Sequence, residues 1–174
     1  MILKNVISID PGDHTGWSYW DGNIHPVTGQ FNVKKCDIVE DELSLQWQRF
    51  NVLLKRYLPG IVYIEGVEFW EGSLKSVTAA RRQNLSKLSY LVGGYCQTAR
   101  SMNIEYRILP ARTWKGQMSN KILEAKVLRI NGEQYPSEHI LNAVGIGFSV
   151  MGYFLRTKSQ PKRFLKNKRR ELQW

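Results

Sequence analysis

The chain has 174 residues, 43% of them hydrophobic, which is enough for one folded domain with a full core. No apolar run approaches bilayer length, we expect no secretory signal, and the two cysteines do not make a disulfide framework, so a cytoplasmic protein is expected. The net charge of +10 favours a polyanionic partner, and nucleic acid over a membrane, because the basic tail lacks the apolar face of an interfacial helix.

Three strands and a helix open the chain. Strands are predicted at about 3–10, 16–21 and 24–33, joined by short turns and therefore antiparallel. Apolar residues then recur at helical spacing from about 40 to 58, where Pro59-Gly60 stops the helix.

Two predicted strands end in a carboxylate. The first ends at Asp10, directly before Pro11-Gly12, and a strand at 61–65 ends at Glu65. The helix between them suggests a crossover connection, which makes the two strands parallel and brings both carboxylates to one sheet edge. Open α/β sheets bind ligands at that edge, so we expect the site there.

Aromatic side chains follow in a polar loop at 66–76. Phe69 and Trp70 stand beside Lys75 there, and they either contact DNA by stacking or wedging, or fold back onto the core. A long helix is predicted at 77–102, with Arg81 and Arg82 near its start. Its Gly93-Gly94 pair allows close packing with another helix, which can belong to the same chain or to the partner in a dimer.

The next segment is rich in lysine. After a strand at 104–109, Pro110 can open a short helix and Ser119 can cap a second one that runs to Asn131-Gly132. Its inward face is expected to comprise Ile122, Ala125, Leu128 and Ile130. Lysines on these elements can line a phosphate path or lie solvated; they are Lys115, Lys121 and Lys126.

The last predicted helix carries polar residues in its first turns. Ser137 is a good N-cap residue, and Glu138, His139 and Asn142 have the spacing to face one side. The apolar remainder, which runs to about residue 155, predicts a helix packed flat on the sheet that aims its polar start at Asp10 and Glu65.

A basic tail ends the chain. From Arg156 onward eight basic residues face Glu171 alone, so this segment carries +7 of the total +10. We therefore divide the chain into a folded domain, 1–156, and a basic tail, 157–174. The tail residues expected to contact DNA are Lys162, Arg163, Lys166, Lys168, Arg169 and Arg170.

The motifs, in this order and spacing, resemble the RuvC-type Holliday junction resolvases, with phage-encoded members nearest. They are Ile9-Asp10-Pro11-Gly12 with Thr15-Gly16, the strand ending Ile64-Glu65, Pro110-x-x-x-Trp114-Lys115-Gly116, and His139-x-x-Asn142-Ala143-x-Gly145-Ile146-Gly147. The resemblance covers about residues 4–155. It implies a ribonuclease H-like α/β fold: a five-stranded mixed sheet, three strands antiparallel, with helices on both faces.

The resemblance also implies an activity. Such enzymes bind four-way DNA junctions as homodimers, and each subunit nicks one of two symmetric strands with Mg²⁺. Two metal ions per site, for which Mn²⁺ can substitute, fit phosphodiester hydrolysis. Asp10 would bridge the metals, Glu65 would hold one, and His139 and Asn142 match the remaining ligand positions. No small-molecule cofactor and no membrane contact are expected, and a phage-encoded chain would act in the host cytoplasm.

Asn142 departs from the family pattern, which normally has Asp there. An amide is a poorer Mg²⁺ ligand than a carboxylate. Three explanations stay open: a naturally weak enzyme, substitution by Glu138 or Glu68, or a deliberate inactivating Asp-to-Asn change, which we favour because the surrounding motif is intact.

The sequence leaves three other functions open. Actin-like ATPases and sugar kinases share the opening motif but need a second lobe, for which we expect no room. A monomeric ribonuclease H-like nuclease acting on RNA or hybrids is the second. A non-catalytic junction-binding protein, suggested by Asn142 alone, is the third.

Overall fold

The computed structural model describes residues 5–33, 38–67 and 84–156. Five strands form one mixed sheet in the order β3-β2-β1-β4-β5. They are β1 (Val6–Asp10), β2 (His14–Trp20), β3 (Val27–Asn32), β4 (Ile61–Gly66) and β5 (Glu105–Pro110). β1, β2 and β3 pair antiparallel, whereas β4 pairs parallel with both β1 and β5. The predicted five-stranded mixed sheet is therefore confirmed.

Six helices complete the described residues, and they are α1 (Val39–Tyr57), α2 (Asn84–Ser101), α3 (Ala111–Trp114), α4 (Asn120–Asn131), α5 (Glu138–Val150) and α6 (Tyr153–Arg156). Ser119 and Ser137 accept hydrogen bonds from Ile122 N and Ile140 N, so both predicted N-caps are confirmed. The predicted helix at 77–102 is confirmed from residue 84 onward, and its earlier part lies outside the described residues. No helix of the described ranges is both long and apolar enough to cross a membrane.

The two faces of the sheet bury separate cores. Ile7 and Ile9 of β1 belong to the core under α1 and α2, whereas Val6 belongs to the core under α4 and α5. Because side chains alternate along a strand, Asp10 shares a face with Val6 and therefore lies on the side of α5. The predicted helices on both faces are confirmed.

α5 lies directly on the sheet because the positions of closest approach are glycines, which have no side chain to hold helix and sheet apart. A Cβ on Gly16 of β2 would lie 2.1 Å from the carbonyl oxygen of His139, and one on Gly147 would lie 2.2 Å from Trp20 Nε1. Buried Ser18 also donates a hydrogen bond to the Ala143 carbonyl, at 3.1 Å. These contacts fix the height of α5 above β2.

One expectation about helix packing is wrong, and another, the close packing of a glycine with a neighbouring helix, is confirmed within the chain. On α4 the buried residues are Leu123 and Val127, whereas Ile122 is 50% exposed, so the inward face is displaced by one position. On α2, Gly94 accommodates Trp47 of α1, since a Cβ there would lie 1.9 Å from Trp47 Nε1. The close contact at this glycine is therefore made within the chain.

The close contact between Gly16 and α5 predicts that a larger residue at position 16 destabilises the fold. Gly16→Ala should lower the free energy of unfolding by at least about 1–3 kcal/mol, because α5 must shift to admit the methyl group. Gly93→Ala is the matched control: nothing lies within 4 Å of a Cβ there, and alanine favours a helix interior by about 1 kcal/mol. Urea denaturation checks both, and equal stability of the two variants would contradict the close packing.

Candidate active site

Two carboxylates meet at the end of the two central strands. Ile9 pairs with Ile64 in the parallel register of β1 and β4, so the next residues, Asp10 and Glu65, lie side by side. Both line a cleft of about 290 Å³. The structure thus brings together the two strand-terminal acids, as the crossover topology predicts.

The first turns of α5 face these acids. His139 Nδ1 lies 2.9 Å from Asp10 Oδ2, and Asn142 Nδ2 donates to the same oxygen at 3.2 Å. His139 and Asn142 also line the cleft. The four residues selected from the sequence as catalytic and metal-binding therefore share one site, while their chemical roles stay predictions.

The acids of the site interact electrostatically with His139. The hydrogen bond to Asp10 raises the pKa of His139, burial acts in the opposite direction, and nearby Glu138 and Asp13 add to the increase. Asp10 and Asn142 are both buried. A carboxylate held beside an imidazole in this way favours the protonated ring.

Lys115 adds a positive charge next to Asn142. Its ammonium group donates to Asn142 Oδ1 at 3.0 Å and to Asn120 Oδ1 at 2.5 Å, and it lies 5.6 Å from the ring centroid of Trp114. Of the other predicted phosphate-binding lysines, Lys121 is exposed on α4 and Lys126 lies over the Phe154 ring. Only Lys115 is therefore seen, among the three, in contact with a residue of the cleft.

The remaining predicted DNA contacts lie outside the described residues. They are Phe69, Trp70, Lys75, Arg81, Arg82, Lys162, Arg163, Lys166, Lys168, Arg169 and Arg170. Glu68, one suggested substitute for the missing carboxylate, also lies outside them. Glu138, the other, is exposed at the start of α5.

The cleft fits a divalent cation through its oxygen donors. Mg²⁺ in proteins is commonly held by one or two carboxylates, with water and substrate phosphates completing its coordination, and Asp10 and Glu65 supply two. Across 5–33, 38–67 and 84–156, no cluster of three or more His, Cys, Asp or Glu side chains is arranged for metal binding. The amide at position 142 is consistent with that smaller donor set.

Sequence reasoning missed a polar group behind the site. Gln46 follows Leu43 by three residues and precedes Phe50 by four, so it lies on the apolar stripe of α1, and it is buried. Its amide contacts the turn after Asp10. A polar residue on an apolar stripe was the available signal, because buried amides need partners.

Solved structures share this fold. Thermus thermophilus RuvC in complex with a Holliday junction substrate has a TM-score of 0.66 at 15% identity, covering 88% of this chain and 95% of that one. A second Thermus thermophilus RuvC structure has a TM-score of 0.59 at 18% identity, with the same coverage. The yeast mitochondrial Holliday junction resolvase Ydc2 has a TM-score of 0.52 at 13% identity, covering 90% and 82%.

These similarities establish the fold: the chain has the ribonuclease H-like architecture of the RuvC structures. No family model matches the sequence, and no curated protein matches it.

The donor set makes a prediction about cation binding. Asn142→Asp adds a charged oxygen beside Asp10, so Mg²⁺ should bind it more tightly. A tenfold tighter site adds about 1.4 kcal/mol at saturating cation, which raises the melting temperature by roughly 3–6 °C over the parent chain. Thermal unfolding with and without Mg²⁺ measures this difference.

Asn120→Asp is the control for that measurement. It adds the same charge against Lys115, but on α4 and at a residue that does not line the cleft. An equal Mg²⁺-dependent gain in both variants would show that general charge, and not the donor set of the cleft, binds the cation.

Proposed function

We propose that this chain is a Mg²⁺-dependent endonuclease that resolves four-way DNA junctions. The observation that carries the proposal is the meeting of Asp10 and Glu65 in one cleft, with His139 and Asn142 aimed at Asp10. The fold is that of a RuvC solved with a Holliday junction substrate, which supports a branched DNA substrate here.

Asp10 and Glu65 would hold the cation, with His139 and Asn142 completing the set. Two ions per site are proposed for the fully active form, and Mn²⁺ would substitute. Bound Mg²⁺ supplies an activated water and a Lewis acid for phosphodiester hydrolysis. The protein's own contribution is to fix Asp10: β1 sets its backbone, and His139 and Asn142 orient its Oδ2.

Positive charge would supply affinity for DNA. Lys115 donates to Asn142 at the cleft, where it can also meet a backbone phosphate. Lys121 and Lys126 extend the charge along α4. The domain division, 1–156 and a basic tail 157–174, follows from charge, and we expect the tail to strengthen binding to all DNA without selecting junctions.

Symmetric cutting of a four-way junction requires two active sites, so we propose a homodimer. Analytical ultracentrifugation tests this: a dimer would argue against the monomeric ribonuclease H-like alternative, which also predicts cutting of RNA/DNA hybrids. A phage-encoded origin, with action in the host cytoplasm, follows from the sequence resemblance alone.

A non-catalytic junction-binding protein is the second candidate, and one contact favours it. The Asn142 amide donates to Asp10 where a resolvase would present a third carboxylate. This amide also accepts from Lys115, so it is satisfied on both sides.

The two acids are the first test. In an active background, Asp10→Asn or Glu65→Gln should reduce junction cutting by at least about a hundredfold, since several kcal/mol of transition-state stabilisation depends on the cation. Junction affinity should not fall, because phosphate contacts from Lys and Arg dominate it. Gel assays on a labelled four-way junction measure cutting, and gel shifts without Mg²⁺ measure binding.

Asp21→Asn and Glu105→Gln are the matched controls, because both remove an exposed acid away from the cleft. Near-normal cutting by Asp10→Asn or Glu65→Gln would refute the site assignment.

The second test concerns Asn142. Asn142→Asp should raise junction cutting by roughly a hundredfold or more, since each 1.36 kcal/mol is tenfold in rate, with little change in affinity. If it does not, Glu138→Gln separates the remaining explanations. Loss of cutting in Glu138→Gln would mean that Glu138 replaces the missing carboxylate, whereas a chain that never cuts is a binding protein.

A further inference from the structure

The turn between β1 and β2 is held from below by a buried amide. Gln46 of α1, which is 1% exposed, donates from Nε2 to the carbonyl oxygen of Gly12 at 2.8 Å and to that of Asp13 at 3.5 Å. Carbonyl oxygens only accept hydrogen bonds, so the orientation of this amide is fixed. The turn directly follows Asp10 in the chain.

The other end of the same amide is also satisfied. Gln46 Oε1 accepts from Thr15 Oγ1 at 2.8 Å and from the Tyr95 hydroxyl at 2.9 Å, and Thr15 and Tyr95 are fully buried. Burial raises the pKa of Tyr95, so the hydroxyl stays protonated and can donate. Both hydrogens and both acceptor positions of the amide are therefore used.

The turn between β1 and β2 also contacts the candidate active site. A Cβ on Gly12 would lie 3.0 Å from His139 Cε1, so the turn backbone packs against the imidazole ring. The same ring lies 2.9 Å from Asp10 Oδ2 through Nδ1. A continuous set of contacts therefore runs from α1 and α2 on one face of the sheet to α5 on the other.

A salt bridge holds the turn from the side. Lys87 of α2 lies 2.8 Å from Asp13 Oδ1 and 2.8 Å from Glu42 Oε1. Glu42 is buried on α1, one turn before Gln46. Both helices of this face thus contribute to fixing the backbone at Gly12 and Asp13.

We propose that Gln46, with Thr15 and Tyr95, is a positioning unit that sets the His139–Asp10 pair for cation binding, a role that rests on the proposed function. Gln46 touches neither cation nor DNA in this role. It acts through the turn backbone, which sets the position of the His139 ring and thereby of the Asp10 carboxylate.

The competing explanation is that the unit only stabilises the core. The two explanations differ in what a loosened turn does to the cleft of a protein that is still folded. Gln46→Met keeps the length of the side chain and removes its four hydrogen bonds. Leu54→Ala is the matched control: Leu54 is fully buried in the same core, and the contacts of the turn described above do not involve it.

The experiment measures four quantities in the full chain carrying Asn142→Asp. They are kcat and KM on a four-way junction, Mg²⁺ affinity by calorimetry with the metal alone, and amide hydrogen exchange at residues 12–16. Gln46→Met should lower kcat roughly tenfold or more, because small displacements of reacting groups cost rate, and leave KM unchanged. It should also weaken Mg²⁺ binding and speed exchange in the turn.

Leu54→Ala should lower the melting temperature but leave kcat and Mg²⁺ affinity near the parent values at a temperature where it is folded. If Gln46→Met behaves like Leu54→Ala, the unit is structural and the proposal is wrong. Should Gln46→Met not fold, Tyr95→Phe, which lacks one oxygen, is expected to show the same changes more weakly, and unchanged kcat and Mg²⁺ affinity there would overturn the proposal.

The proposed function can fail separately. If neither the parent chain nor Asn142→Asp cuts any junction, the nuclease assignment is wrong. Mg²⁺ affinity and hydrogen exchange then still decide whether Gln46 positions the acids of the cleft.

Discussion

The close approach of α5 to β2 is the constraint on which the site depends. At Gly16 the backbone of β2 meets the backbone of α5 at His139, and at Gly147 the helix accommodates Trp20. With α5 at this height, the imidazole of His139 and the amide of Asn142 reach Asp10 Oδ2. A longer side chain between helix and sheet would lift both groups out of hydrogen-bond range, because such contacts weaken steeply beyond about 3.5 Å.

Because side chains alternate along β1, one face of the strand packs in a core and the other carries the catalytic candidate Asp10. Ile7 and Ile9 join α1 and α2 in one core, whereas Asp10 faces α5. The apolar face anchors the strand, so the carboxylate at its end is held by a buried backbone and not by a mobile loop. Through the buried polar network of Gln46, the apolar face also supports the site.

Sequence patterns predicted the strands and the helix N-caps. They also predicted the meeting of Asp10 with Glu65, because the strand-end residues of a crossover unit lie at the same sheet edge whatever their neighbours. They did not predict the buried face of α4, where stripes beginning at Ile122 and at Leu123 have similar periodicity and only the packing partner, α5, decides between them. They also missed Gln46, because hydrogen-bond partners such as Tyr95 come from another helix.

Asn142 is matched to both of its neighbours as an amide. Its Nδ2 donates to a carboxylate that can only accept, and its Oδ1 accepts from an ammonium that can only donate. A carboxylate at this position would keep the contact with Lys115 but would set two anionic oxygens against each other at Asp10. A bound cation would relieve that repulsion. With a carboxylate at this position, the stability of the site would therefore depend on cation binding. The amide avoids this repulsion, while Lys115 contacts Asn142 and His139 contacts Asp10. An amide at position 142 is therefore compatible with both proposed functions: a resolvase weakened at its cation site, and a junction binder whose cleft is stable without a cation.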